Sequence, residues 1–163
     1  MKRFFVFTLI ALFATTGLLL TNLSADDSDA DFGLADAPFD DVFGSVGVSV
    51  WYNDETSTAS GSFSYFLDNG DDVIIGYSYI FYTSVLGPDY FSYDSKGNSG
   101  QVAVNGDSDD DKTFTFDMEG EEEGNYTITG STYLSIYGDT DHDGEGDAWH
   151  VWEALAIDDF EIE

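Results

Sequence analysis

The sequence runs to 163 residues, with 33 aspartates and glutamates against four lysines and arginines, a formal charge of −29, and no cysteine. Such a field repels phosphate backbones and anionic lipid headgroups, which excludes nucleic acid and acidic membrane surfaces as partners. The fold must also hold without disulfides, which a chain of this length can do by burying an ordinary core.

Residues 1–25 read as a secretory signal peptide. Lys2 and Arg3 form a charged start, Phe4 to Leu20 is almost continuously apolar, and Leu23-Ser24-Ala25 is a small-residue cleavage site. The alternative is a retained anchor, because the apolar run reaches the lower length limit for a bilayer-spanning helix. All 33 acidic residues follow position 25, and only Lys96 and Lys112 remain to oppose them, so the exported chain carries −31. A secreted, cell-surface or periplasmic location is expected.

Residues 26–41 carry seven aspartates and little periodic apolar signal. They read as an acidic, flexible leader, with an ordered first strand as the alternative if Phe32, Leu34 and Phe39 dock. Residues 42–163 then form one domain, since neither an internal repeat nor a second shift in composition divides them.

That domain is all-β by its period. Val46, Val48 and Val50 alternate with Ser45, Gly47 and Ser49, and Phe63, Tyr65 and Leu67 repeat the pattern. Asn69-Gly70 then predicts a tight hairpin turn into a strand from Val73 to Tyr82. Val102 to Val104, Phe114 to Met118, Tyr126 to Tyr137 and Val151 to Ile162 complete seven or so strands. Glycine, aspartate and asparagine fill the connections, and no crossover helix is predicted. The expected architecture is an antiparallel β-sandwich, jelly-roll-like, or a barrel.

Aromatic residues are dense. In Tyr77-Ser78-Tyr79-Ile80-Phe81-Tyr82 both faces of the predicted strand are apolar, so one can fill the core while the other is displayed. Displayed Tyr and Trp stack on sugar rings, and Tyr79, Trp149 and Trp152 are the candidate ligand-binding residues. The competing reading makes these rings core and cross-strand pairs. Asp107 to Asp111 and Glu121 to Glu123 read as solvated turns, and Asn125-Tyr126-Thr127 fits an N-glycosylation sequon.

The candidate metal site is the stretch Asp139-Thr140-Asp141-His142-Asp143-Gly144-Glu145-Gly146-Asp147. Calcium takes six to eight oxygen ligands, and carboxylates at every second residue before a sharply turning glycine can wrap it. Asp139, Asp141 and Asp143 supply side chains, Glu145 its carbonyl, and Asp147 a further carboxylate. The stretch resembles the D-x-D-x-D-G loops of thrombospondin type 3 repeats and dockerins, and that resemblance implies calcium as the bound ion. His150 stands where an EF-hand has its closing Glu, and the flanks read as strand. Ala156-Ile157-Asp158-Asp159-Phe160-Glu161-Ile162 resembles the last strand of jelly-roll carbohydrate-binding modules, which implies a structural calcium near the sandwich rim.

Enzymatic signals are few. His142 and His150 are the only imidazoles, no G-x-S-x-G elbow occurs, and no carboxylate pair stands out among so many. The sequence therefore reads as a non-enzymatic, exported calcium-binding module whose partner is a glycan or another surface protein. A passive extracellular-layer protein is the alternative, and a carboxylate-dependent glycoside hydrolase comes after it.

Overall fold

The computed structural model describes residues 27–36, 39, 41–70, 75–138 and 148–163. The predicted signal peptide and the acidic loop 139–147 lie outside the described residues. Eight strands form among the described residues: β1 (Asp27–Leu34), β2 (Phe43–Asn53), β3 (Thr58–Asp68), β4 (Ile75–Leu86), β5 (Phe91–Val102), β6 (Asp107–Asp117), β7 (Gly124–Gly138) and β8 (Ala148–Ile162). They pair antiparallel in two four-stranded sheets, ordered β1-β2-β3-β6 and β5-β4-β7-β8. The architecture is a β-sandwich, the first of the two forms expected.

Alternation places the core. On β2, Val46, Val48 and Val50 point inward against Phe63, Tyr65 and Leu67 of β3 and against Phe81, Val85, Ile128, Leu134 and Ile136 of the facing sheet. Trp152 of β8 is the largest fully buried side chain. Its indole lies on Gly44 of β2 so closely that a Cβ there would sit 2.5 Å from the ring. Truncating Trp152 to alanine empties this contact and should cost about 3–5 kcal/mol. At the far end Tyr52 and Phe160 stack across the sheets at 4.2 Å, and Tyr126 continues the stack at 5.5 Å from Phe160.

Two local expectations are corrected. Asn69-Gly70 is a corner between sheets, because β3 pairs with β2 and β6 while β4 pairs with β5 and β7. The dipeptide serves close approach here. The buried Asn69 side chain donates to the carbonyls of Val102 and Ala103, both at 3.1 Å. A Cβ on Gly70 would fall 2.6 Å from that of Asp41. Asp41 and Asn105 both take left-handed φ at this corner, at 59° and 55°, and the Asn105 amide donates to the Gly70 carbonyl.

The flexible leader is the second correction. Residues 27–34 pair in full register with β2, from Asp27 opposite Val50 to Leu34 opposite Phe43. What fixes them is carboxylate chemistry rather than apolar burial. Asp27, Asp29 and Asp31 turn toward the open edge of β8 and accept the amides of Ile157, Leu155 and Glu153 at 2.7, 3.0 and 3.3 Å.

Candidate functional site

The expected ligand-binding residues separate. Tyr79 and Trp152 are buried, at 6% and 2% exposure, and cannot present a ring to a ligand. Tyr79 belongs to the inward face of β4 and donates its hydroxyl to Asp110 of β6, which Lys96 of β5 also grips at 2.6 Å. Burial, and then the hydrogen bond to Asp110, push the Tyr79 hydroxyl well above its ordinary value. Lys96 first, and Tyr79 second, hold the Asp110 carboxyl below its usual 3.8. This network closes the β5–β6 edge of the sandwich. Trp152 packs edge-on against His150 at 4.4 Å, and His150 Nδ1 accepts the Asp36 amide at 3.1 Å.

Trp149 alone of the three is displayed, at 69% exposure. It sits on the outer face of the β5-β4-β7-β8 sheet, 5.5 Å from Tyr137. The Tyr137 ring lies over Gly76 of β4, where a Cβ would come within 2.2 Å of it. Glycine at that position lets the phenol lie flat, so Tyr137 and Trp149 form one aromatic strip.

The strip is one row of a larger surface. Cross-strand register sets six outward positions on each of the four strands, 24 in all. From β8 come Trp149, Val151, Leu155 and Ile157, each at least 48% exposed. Beside them β7 adds Tyr133 and Tyr137, β4 adds Ile80 and Leu86, and β5 adds Phe91 and Tyr93. Tyr82 stacks on Tyr93 at 6.3 Å. Most of the other positions are serine, threonine or glycine, among them Ser78 and Ser135, whose hydroxyls meet at 2.8 Å. Only Glu153 and Asp159 carry charge, and Asp159 accepts from Thr127 at 2.6 Å.

A chain with 33 acidic residues thus keeps one broad face almost free of them. The outer face of the other sheet differs, because β6 alone places Asp107, Asp109, Asp111 and Asp117 along it. Asp107, Asp109 and Asp111 were expected in a turn and instead open an edge strand. Exposed contiguous apolar surface on this scale marks interaction sites. The sequence signal for it was present in β8, where Trp149, Val151, Leu155 and Ile157 alternate with Trp152, Ala154 and Ala156. Both faces of that strand are apolar, although one sheet face is all the core needs.

Among the described residues, no set of three or more histidine, aspartate or glutamate side chains is placed to hold a metal ion. Asp139, Asp141, Asp143, Glu145 and Asp147 lie outside the described residues. The hairpin that carries them is described up to its ends, where Gly138 and Ala148 are register partners beside Tyr137 and Trp149. In the predicted sequon, Asn125 is exposed at the start of β7, while Tyr126 is buried and donates its hydroxyl to the Glu122 carbonyl at 2.8 Å. Comparison with protein-family models and with curated protein sequences finds no match to this chain.

Proposed function

We propose that this chain is an exported, calcium-loaded β-sandwich that acts as an interaction module through the outer face of β5-β4-β7-β8. The observation that carries the reading is the near-absence of charge across 24 outward positions of a chain at −29. The outward side of the other sheet carries Asp68, Asp107, Asp109, Asp111 and Asp117. This face has only Glu153 and Asp159 among its exposed Tyr, Trp, Leu and Ile side chains, and exposed apolar surface of that kind is one that water leaves on binding. Two partner chemistries suit it: sugar rings, stacked on the exposed Tyr137 and Trp149 rings with serine and threonine hydroxyls beside them, or an uncharged protein surface.

Calcium belongs to the same reading. The D-x-D-x-D-G pattern supports it, and so do the hairpin ends at Gly138 and Ala148, which hold the two ends of the loop close together. Bound calcium would relieve the mutual repulsion of Asp139, Asp141, Asp143 and Asp147 and add its binding energy to stability. At a hundredfold excess over the dissociation constant the gain is about 2.7 kcal/mol. Asp141→Ala should abolish that gain, read as the rise in melting temperature on adding calcium after chelation. An equal rise in the variant would place the ion elsewhere.

The face itself is tested by a glycan array probed in millimolar calcium, with Trp149→Ala and Tyr137→Ala beside the parent. Binding lost in both variants supports sugar stacking. Retained binding in both moves the sugar site off this face.

A further inference from the structure

The interaction face has a shape and charge that select its partner, and we infer that the partner is a second copy of this chain. This inference rests on the reading of the face as an interaction surface. Four strands about 4.8 Å apart and six rows about 6.8 Å apart span roughly 800 Å², the area each partner contributes to a standard stable interface. Two copies at this charge repel one another in nearly every orientation. The outer face of β5-β4-β7-β8 is where that repulsion is weakest, and it meets its own equal in area and polarity. A basic partner would find only Glu153 and Asp159 to engage. A sugar would leave Ile80, Val151, Leu155 and Ile157 without the hydroxyl contacts that make recognition specific.

Charge separation selects the arrangement. A twofold axis lying along the strands between β4 and β7 sets the β8 edge of each copy over the β5 edge of the other. Glu153 then faces Gly97, and Asp159 faces Phe91, the residues of the same rows on β5. The outward side of β5 carries no charge, so the carboxylates of the two copies stay a sheet's width apart. Leu155 and Tyr133 fall inside the contact, and sheets stacked face to face pack about 10 Å apart.

Sedimentation velocity on the exported protein tests this. The parent should sediment as a dimer at micromolar concentration, and more tightly as sodium chloride rises, because screening removes repulsion. Leu155→Asp should weaken dimerisation by roughly 100-fold or more, since the twofold axis buries two unpaired carboxylates. Ser64→Asp adds the same charge to the outer face of the other sheet and should change it by less than roughly threefold. Tyr133→Ser, which adds no charge, should still weaken it by roughly tenfold or more. A parent that stays monomeric overturns the inference, as does a dimer that Leu155→Asp and Tyr133→Ser leave intact. A monomeric parent that binds glycans, with binding lost in Leu155→Asp, would overturn the second copy and keep the interaction face. A monomeric parent with a blank array would remove both.

Discussion

The two edges where the sheets of this sandwich meet are closed by opposite chemistry. At the β5–β6 edge a lysine does the work: Lys96 holds Asp110, and Asp110 takes the hydroxyl of buried Tyr79. At the β1–β8 edge three aspartates accept three backbone amides instead. The second arrangement suits a chain whose only lysines after Lys2 are Lys96 and Lys112. Every non-proline residue brings an N–H, and an edge strand displays a row of them that invites pairing with another chain. By setting carboxylates at alternate positions of β1 against that row, the protein occupies the edge and gives three anions a partner at once.

The largest effect is expected at β1. Replacing Asp27, Asp29 and Asp31 together with alanine should lower the melting temperature by roughly 5–10 °C and open the β8 edge. The charge-matched control replaces exposed Asp89, Glu119 and Glu123, and it should leave stability level or raise it by relieving repulsion. If both triple variants melt alike, the carboxylates of β1 are ornaments on a strand that β2 alone holds.

At the other edge, Asp110→Ala strips the acceptor from the Tyr79 hydroxyl, which should cost about 1–3 kcal/mol in urea unfolding. This effect has a sign in pH. Because Lys96 and Tyr79 depress the Asp110 carboxyl below 3.8, it stabilises the fold above that value and stops doing so as pH falls through its depressed value. Parent and Asp110→Asn should therefore differ most near neutrality and converge in strong acid. A constant difference from neutral pH to pH 2 would remove ionisation from the account. The smallest effect belongs to Lys96→Gln, at about 0.5–1 kcal/mol, because Lys96 is 37% exposed and Asp110 keeps its phenol donor.

How far the sequence could be read follows from the same division between edge and interior. The inner strands β2, β3, β4 and β7 were legible because both neighbours and the core constrain them, and their valines, tyrosines and phenylalanines alternate. Three of the four edge strands were lost in whole or part. β1 alternates aspartate with small residues, β5 runs through Ser95 to Gly100 with hardly an apolar side chain, and β6 opens on Asp107 to Asp111. Apolar periodicity is blind to a strand whose inward positions meet a carboxylate–amide seam or an ion pair. In β1 a signal did exist, in the strict period of two at Asp27, Asp29 and Asp31. Of the three candidate ligand-binding residues, Trp149 is exposed while Tyr79 and Trp152 are buried. Alternation says which residues share a face, and only the partner sheet says which face is inside.

Trp149 and Trp152 lie on opposite sides of one strand, at 69% and 2% exposure, and this gives the protein a pair of optical reporters three residues apart. Trp152, held against Gly44, should emit in the blue and resist quenching until the sandwich unfolds. Trp149 should emit further to the red and be open to acrylamide, while iodide, an anion, is turned away by the surrounding charge. With half-buried Trp51 of the other sheet replaced by phenylalanine, quenching by the neutral agent follows what covers the outer face, and the blue component follows whether the fold is intact. A single cuvette can then tell a chain whose outer face has been uncovered from a chain that has lost its structure.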